Sequence, residues 1–188
     1  MVEVSVCIPT YNGCPFLGDA LDSVLSQTCT NFEVLISDDG STDDSLILLK
    51  DFIERVSFPV RLFENSGLGI SENCNFLANK SSGNYIKFLF QDDLLEPSCI
   101  ELLLKEAKMS ESSSLIFSNR RVVFESLDSA YCQDIFNGCQ NLSEHWSRLD
   151  SLQDGILLLE DTKLLDAPIN KIGEPSNTLI SKIAFHEV

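Results

Sequence analysis

"YIKFLFQDDLLEP", residues 85–97, runs five apolar or aromatic positions into two adjacent carboxylates, Asp92 and Asp93. The apolar part reads as a buried strand. Pro97 suits the first turn of a following helix, with Ile100, Leu103, Leu104 and Ala107 turned inward. Neighbouring ionised carboxylates repel each other, and burial raises that cost. A positive charge, or water, is therefore expected where this strand ends.

The same strand-then-polar-cluster unit recurs toward the N-terminus. "VSVCI" (4–8) is a short buried strand closed by "PTYNG", and a helix follows from Pro15 with Leu17, Ala20, Leu21 and Val24 on one face. "FEVLIS" (32–37) is a second strand, followed by "DDGSTDDS" and a helix from near Asp43 with Leu46, Leu49, Ile53 and Val56 inward. "VRLFE" (60–64), broken by "NSGLG", is a third strand; residues 70–79 read as helix, "NYIKFLF" as the fourth strand and "SLIFS" (114–118) as the fifth. Strands separated by helices of this length predict an α/β fold, a mostly parallel sheet with helices on both faces. Ligands bind such sheets beyond the carboxyl ends of the strands, where "PTYN", "SDDGS" and "QDD" all fall.

Past residue 125 the pattern weakens. "DGILLLEDTKLL" fits a helix or a strand, and "GEPSNTLISKIAFHEV" restores order with a turn and an apolar segment. The chain divides on this reading into residues 1–125, which carry the strand-end clusters, and 126–188. No internal repeat is visible.

Charge limits the partners. The 188 residues carry 29 acidic and 13 basic side chains, a formal net charge of -16, which repels phosphate backbones and argues against nucleic acid. An anionic substrate would need a local cation. The seven cysteines are odd in number and none has CxxC spacing, so neither zinc nor a disulfide framework is expected and a reducing cytosol fits. Neither a signal peptide nor an apolar run long enough to span a bilayer is seen.

Each cluster has a structural and a functional reading. One of Asp92 and Asp93 could cap the next helix, but a hard divalent cation, Mg²⁺ or Mn²⁺, accounts for both. Asp43 and Asp44 suit the first turn of a helix, with Ser41 or Thr42 as its N-cap, and read as structural. Asp38 reads equally as an Asx-turn and as a ligand contact. Asp39 at the same strand end could accept from a base or ribose. Tyr11 could pack or offer a stacking face. His145 and His186 stand apart from any ligand spacing, and "SGLGIS" lacks the third glycine of a dinucleotide loop.

Taken in order, "VSVCIPTYNG", "SQTCTNFEVLISDDGSTDDS", "SSGNYIKFLFQDDLLEP" and "GEPSNTLI" resemble family 2 glycosyltransferases of the GT-A fold, from Val4 to about Phe124 and again at 173–180. The resemblance implies a nucleotide-sugar donor, with UDP as the default, and cell-surface polysaccharide biosynthesis as the setting. Pro9, Thr10 and Tyr11 would flank the base and Asp39 would hydrogen-bond it. Asp38 joins them at the nucleotide, Asp93 would be the main metal ligand, and Asp92 would meet the ribose or the metal. It also implies transfer with inversion to a hydroxyl of a carbohydrate or lipid-linked acceptor, in the cytoplasm or at the inner face of the membrane.

Departures from the family pattern follow. Phe90 stands where many relatives have an additional Asp, and Asn73-Cys74-Asn75 lacks the arginine that relatives use near phosphate. The catalytic base, an Asp or Glu downstream of "GEPS", is expected beyond Val188; Glu160 and Asp161 precede that segment and are not assigned the role. A donor-binding module that does not transfer is the alternative reading. A phosphoacceptor receiver domain, a third, would want a lysine closing the fifth strand, where "SLIFSNRR" has Ser118 and Asn119.

Overall fold

A computed structural model of the chain describes residues 2–110, 113–123, 151–165 and 174–187. His145, Cys132 and Cys139 lie outside the described residues. Six strands form one sheet: β1 (Val4–Thr10), β2 (Phe32–Asp38), β3 (Val60–Glu64), β4 (Tyr85–Phe88), β5 (Leu115–Phe117) and β6 (Thr178–Ser181). Their order is β3-β2-β1-β4-β6-β5. β1, β2, β3 and β4 are parallel, and β6 runs antiparallel to β4, with Tyr85 opposite Ser181. The chain separates into two compact units, Met1–Ile116 with Thr178–Val188, and Phe117–Asn177.

Alternation along the central strands assigns side chains to two apolar layers. Val4, Val6 and Ile8 of β1, with Val34 and Ile36 of β2, pack against α1 (Cys14–Leu25), α2 (Ser45–Arg55) and α4 (Cys99–Met109). Cys7, Leu35, Ile86 and Phe88 meet Leu77 and Ala78 of α3 (Gly69–Lys80) on the other face, with Phe185 packed beside them. Helices therefore cover both faces. The residues of α4 read as inward, Ile100, Leu103, Leu104 and Ala107, are all buried.

Several local expectations shift. β1 continues through Pro9 to Thr10, because β4 pairs with it only as far as Cys7 and the missing proline N–H costs no ladder bond on that side. In α2 the fully buried aromatic is Phe52, while Leu46, Ile53 and Val56 are half-buried. β4 stops at Phe88 and the chain turns, while Pro97 lies just before α4 rather than in it. In the second unit "DGILLLEDTKLL" becomes a short helix, α5 (Gly155–Glu160), and a 3-10 turn at Thr162–Leu165. Asp154 caps α5 by accepting from Ile156 N–H at 2.8 Å. α6 (Lys182–Glu187) follows β6 and carries the exposed His186.

β2 and β3 extend the sheet to one side of β1, and β4 lies on the other. The direction of the strand order thus reverses at β1. That is where open parallel sheets hold their ligands.

Candidate active site

A cleft of about 720 Å³ opens at this reversal. Pro9, Thr10 and Tyr11 come to it from β1, Asp39 and Gly40 from β2, and Phe90, Gln91 and Asp92 from β4. Ser66, Gly67, Gly69, Ile70 and Asn73, around the start of α3, complete it. The three clusters at the strand ends therefore meet.

The loops are laced to each other by side-chain hydrogen bonds. Asp38 is buried, and its oxygens accept from Gly40 N–H (3.1 Å), Ser41 N–H (2.9 Å) and Ser41 Oγ (2.5 Å). This is the Asx-turn reading, and Asp38 does not line the cleft. Ser41, expected as an N-cap of α2, instead serves this turn and accepts from Asn12 N–H. Asn12 Oδ1 accepts from Thr42 N–H at 2.8 Å, and Asp43 accepts from Ser45 and Cys14 N–H at 3.0 Å. Asp43 therefore does more than complement a helix dipole: it ties the start of α1 to that of α2. A hydrogen bond from the Ser45 side chain, helped by the backbone N–H groups of Cys14 and Ser45, holds its carboxyl below the ordinary value.

Asp39 lines the cleft and reaches across to the 66–69 loop. Its two oxygens accept from Leu68 and Gly69 N–H, each at 2.7 Å. Gly67 and Gly69 sit at φ +73° and +75°, which other residues adopt only under strain, and that backbone presents the two N–H groups to one carboxylate. Each Asp39 oxygen keeps a second lone pair.

Tyr11 is 57% exposed beside the cleft while its backbone is held. Gln91 accepts from Tyr11 N–H at 2.9 Å and donates to Tyr11 O at 3.1 Å. In the sequence Gln91 stands only as a neighbour of the carboxylates; its role depends on a contact 80 residues away. Gly13 makes room for it, since a Cβ there would lie 2.6 Å from Gln91 Oε1.

Asp92 is exposed at the cleft edge, and Asp93 is half-buried with its N–H bonded to Phe90 O at 3.0 Å. Behind this turn lies a lysine set within the apolar run of β4. Lys87 is fully buried, with Nζ donating to Phe88 O at 3.3 Å. Burial pulls its pKa down to about 8, against the opposing pull of Cys99 and Asp93. Part of the positive charge expected at the strand end is thus supplied by the chain itself. Asp92 and Asp93 offer adjacent hard oxygen donors that solvent reaches, a set that suits Mg²⁺ or Mn²⁺ shared with substrate phosphates. Among the described residues no group of three or more His, Cys, Asp or Glu side chains is clustered for a metal.

Residues 5–162 match the family model of glycosyl transferase family 2. The chain belongs to that family. It is similar to a chondroitin synthase of Escherichia coli, 37% identical over 119 residues, and to a hyaluronan synthase of Pasteurella multocida, 34% identical over 120 residues. Those stretches cover 63% and 64% of this chain but only 17% and 12% of the relatives' lengths.

Among solved structures, Staphylococcus aureus TarS 1–349 superposes over 99% of this chain and 49% of its own, with TM-score 0.68 and 18% identity. TarS in complex with UDP-GlcNAc covers 69% of this chain and 38% of its own, with TM-score 0.59 and 22% identity. The mannosyltransferase PcManGT of Pyrobaculum calidifontis, in complex with GDP-Man and Mn²⁺, covers 63% and 36%, with TM-score 0.59 and 21% identity. The family 2 chain thus has the GT-A fold. No helix among its described residues is long and apolar enough to cross a membrane.

Proposed function

We propose that this family 2 chain binds a nucleotide-sugar, with a UDP-sugar as donor, and takes part in inverting transfer of the sugar to an acceptor hydroxyl. The observation that carries the reading is the meeting of Tyr11, Asp39 and Asp92 around one cleft at the sheet's reversal point. Tyr11 offers its ring to the face of the base, Pro9 and Thr10 border it, and Asp39 accepts there through the lone pairs that the loop leaves. Asp92, at the cleft edge, and Asp93, half-buried next to it and outside the cleft lining, would hold Mn²⁺ or Mg²⁺ against the donor diphosphate. Such an ion supplies neutralisation of the diphosphate as it departs. The nucleotide-sugars named in the TarS and PcManGT complexes, and the polysaccharide products of the two synthases, support this class of donor and a carbohydrate or lipid-linked acceptor. The general base is placed downstream of the 173–180 segment, as the resemblance implies.

Titration calorimetry of UDP with and without Mn²⁺ tests the assignment. Asp93→Ala should lose the Mn²⁺-dependent part of UDP affinity and keep the metal-free part. Parent-like affinity in the variant with Mn²⁺ present would refute the metal site. UDP at about a hundred times its dissociation constant should stabilise the parent by roughly 2.7 kcal/mol.

A further inference from the structure

Two buried polar atoms of the cleft residues have no hydrogen-bond partner: the hydroxyl oxygen of Thr10 and the amide oxygen of Asn73. Each residue is only 2% exposed. They belong to different elements, the end of β1 and the early turns of α3, yet both line the same cleft. A buried polar atom left unmatched is costly to the fold. Two such atoms among the residues of one cleft single that cleft out.

The orientation of Asn73 is set by its other bond. Its Nδ2 donates to Ser37 O at 3.0 Å. A flipped amide would set oxygen against that carbonyl, so the unmatched atom is an acceptor. Asn73 is anchored two residues before Asp39, whose carboxylate holds the first N–H groups of α3. Two acceptors, one neutral and one anionic, therefore flank the junction of β2 and α3.

We propose that Asn73 reads the nucleobase, its amide oxygen and Asp39 together accepting the ring N–H while the Thr10 hydroxyl meets the neighbouring carbonyl. The inference rests on the cleft being the nucleotide site. Its consequence is a rule about protonation. Uracil at N3 and guanine at N1 carry a ring proton beside a carbonyl. Cytosine at N3 and adenine at N1 present a bare lone pair, which two acceptors repel. The cleft then selects a base by whether that ring nitrogen bears hydrogen, and accepts uracil and guanine alike on this edge.

Dissociation constants of the whole chain for UDP, GDP, CDP, ADP and N3-methyl-UDP, measured by calorimetry with Mn²⁺, test the rule. UDP and GDP should bind at least about tenfold more tightly than CDP and ADP, and N3-methyl-UDP should fall with the weak pair. Asn73→Ala should shrink the UDP-to-CDP ratio by about tenfold, about 1.4 kcal/mol. A general loosening of α3 would lower both affinities and leave that ratio alone, so an unchanged ratio overturns the proposal. N3-methyl-UDP binding the parent as tightly as UDP overturns it without any variant, including the case where Asn73→Ala does not fold. If the parent binds none of the five, the nucleotide reading itself fails and takes the proposal with it.

Discussion

The two ends of the parallel strands are both acidic and polar, but they treat their polar atoms in opposite ways. At the amino end Glu33 is buried on β2 and fully engaged. One oxygen accepts from Ser5 Oγ (2.7 Å), Ser82 N–H (2.7 Å) and Ser82 Oγ (2.6 Å), and the other from Arg61 at 3.1 Å. Ser5 Oγ in turn accepts from Gly83 N–H at 2.9 Å. At the carboxyl end Asp92 is exposed, and Thr10 and Asn73 keep unmatched atoms. A network closed on itself stabilises the fold, whereas one left open is shaped for something else.

The largest expected break in this contrast is at Glu33. Glu33→Ala strands Ser5, Ser82 and the Ser82 N–H together, and should cost about 3 kcal/mol or more in urea unfolding. UDP affinity of the remaining folded protein should not change. Burial raises the Glu33 pKa, but the bonds from Ser82 and Ser5 and the charge of Arg61 outweigh it, and the net value lies below the ordinary 4.5. A carboxylate with a depressed folded pKa contributes stability that is present above its unfolded pKa and lost as pH falls through the folded value. The variant should therefore lose part of the parent's acid sensitivity below about pH 4.5. An unchanged acid limb would mean that the network is not what it titrates.

One substitution made at both ends sharpens the contrast. A Cβ at Gly83 would meet backbone, Ser5 N at 2.7 Å and Val4 C at 2.8 Å, so Gly83→Ala should cost about 1–3 kcal/mol of stability by overpacking. At Gly13 the obstacle is the end of the Gln91 side chain, which can swing away. Gly13→Ala should change stability by less than about 1 kcal/mol, yet lose the two bonds from Gln91 to Tyr11. UDP affinity should then fall several-fold. Equal stability losses at the two glycines would erase the distinction.

A last contrast is in pH dependence, at Lys87. Its pKa is pulled from 10.5 to about 8, so the unfolded chain holds this proton more tightly than the folded one. Stability should rise as pH climbs between those values, and thermal unfolding of Lys87→Met should lack that rise.

Most of the sheet is legible along the chain because it is built from local periodicity. The inward face of α4 and the strands β1 to β3 follow from apolar spacing alone. Asp38 shows where spacing stops helping: a carboxylate after a strand looks the same whether it closes an Asx-turn or meets a ligand. Gln91, Asn73 and Lys87 escaped because their meaning lies in partners. Gln91 pairs with a backbone 80 residues away, Asn73 with a strand carbonyl across the sheet face, and Lys87 is a cation inside an apolar run. β6 gives no local sign of its antiparallel place beside β4.

That place has a kinetic consequence. β1 through β4 and their helices lie within the first half of the chain, and β1 can pair with both neighbours as soon as β4 has been made. The remaining edge of β4 must wait for β6, about ninety residues later in synthesis, and pairing across so long a separation is slow. Until then Tyr85 and Ile86 present unpaired backbone groups on an apolar strand, the kind of edge that recruits strands from other chains. The interval between making β4 and docking β6 should therefore be when a nascent chain most needs a chaperone, and weakening β6 should lower soluble yield before it measurably alters nucleotide affinity.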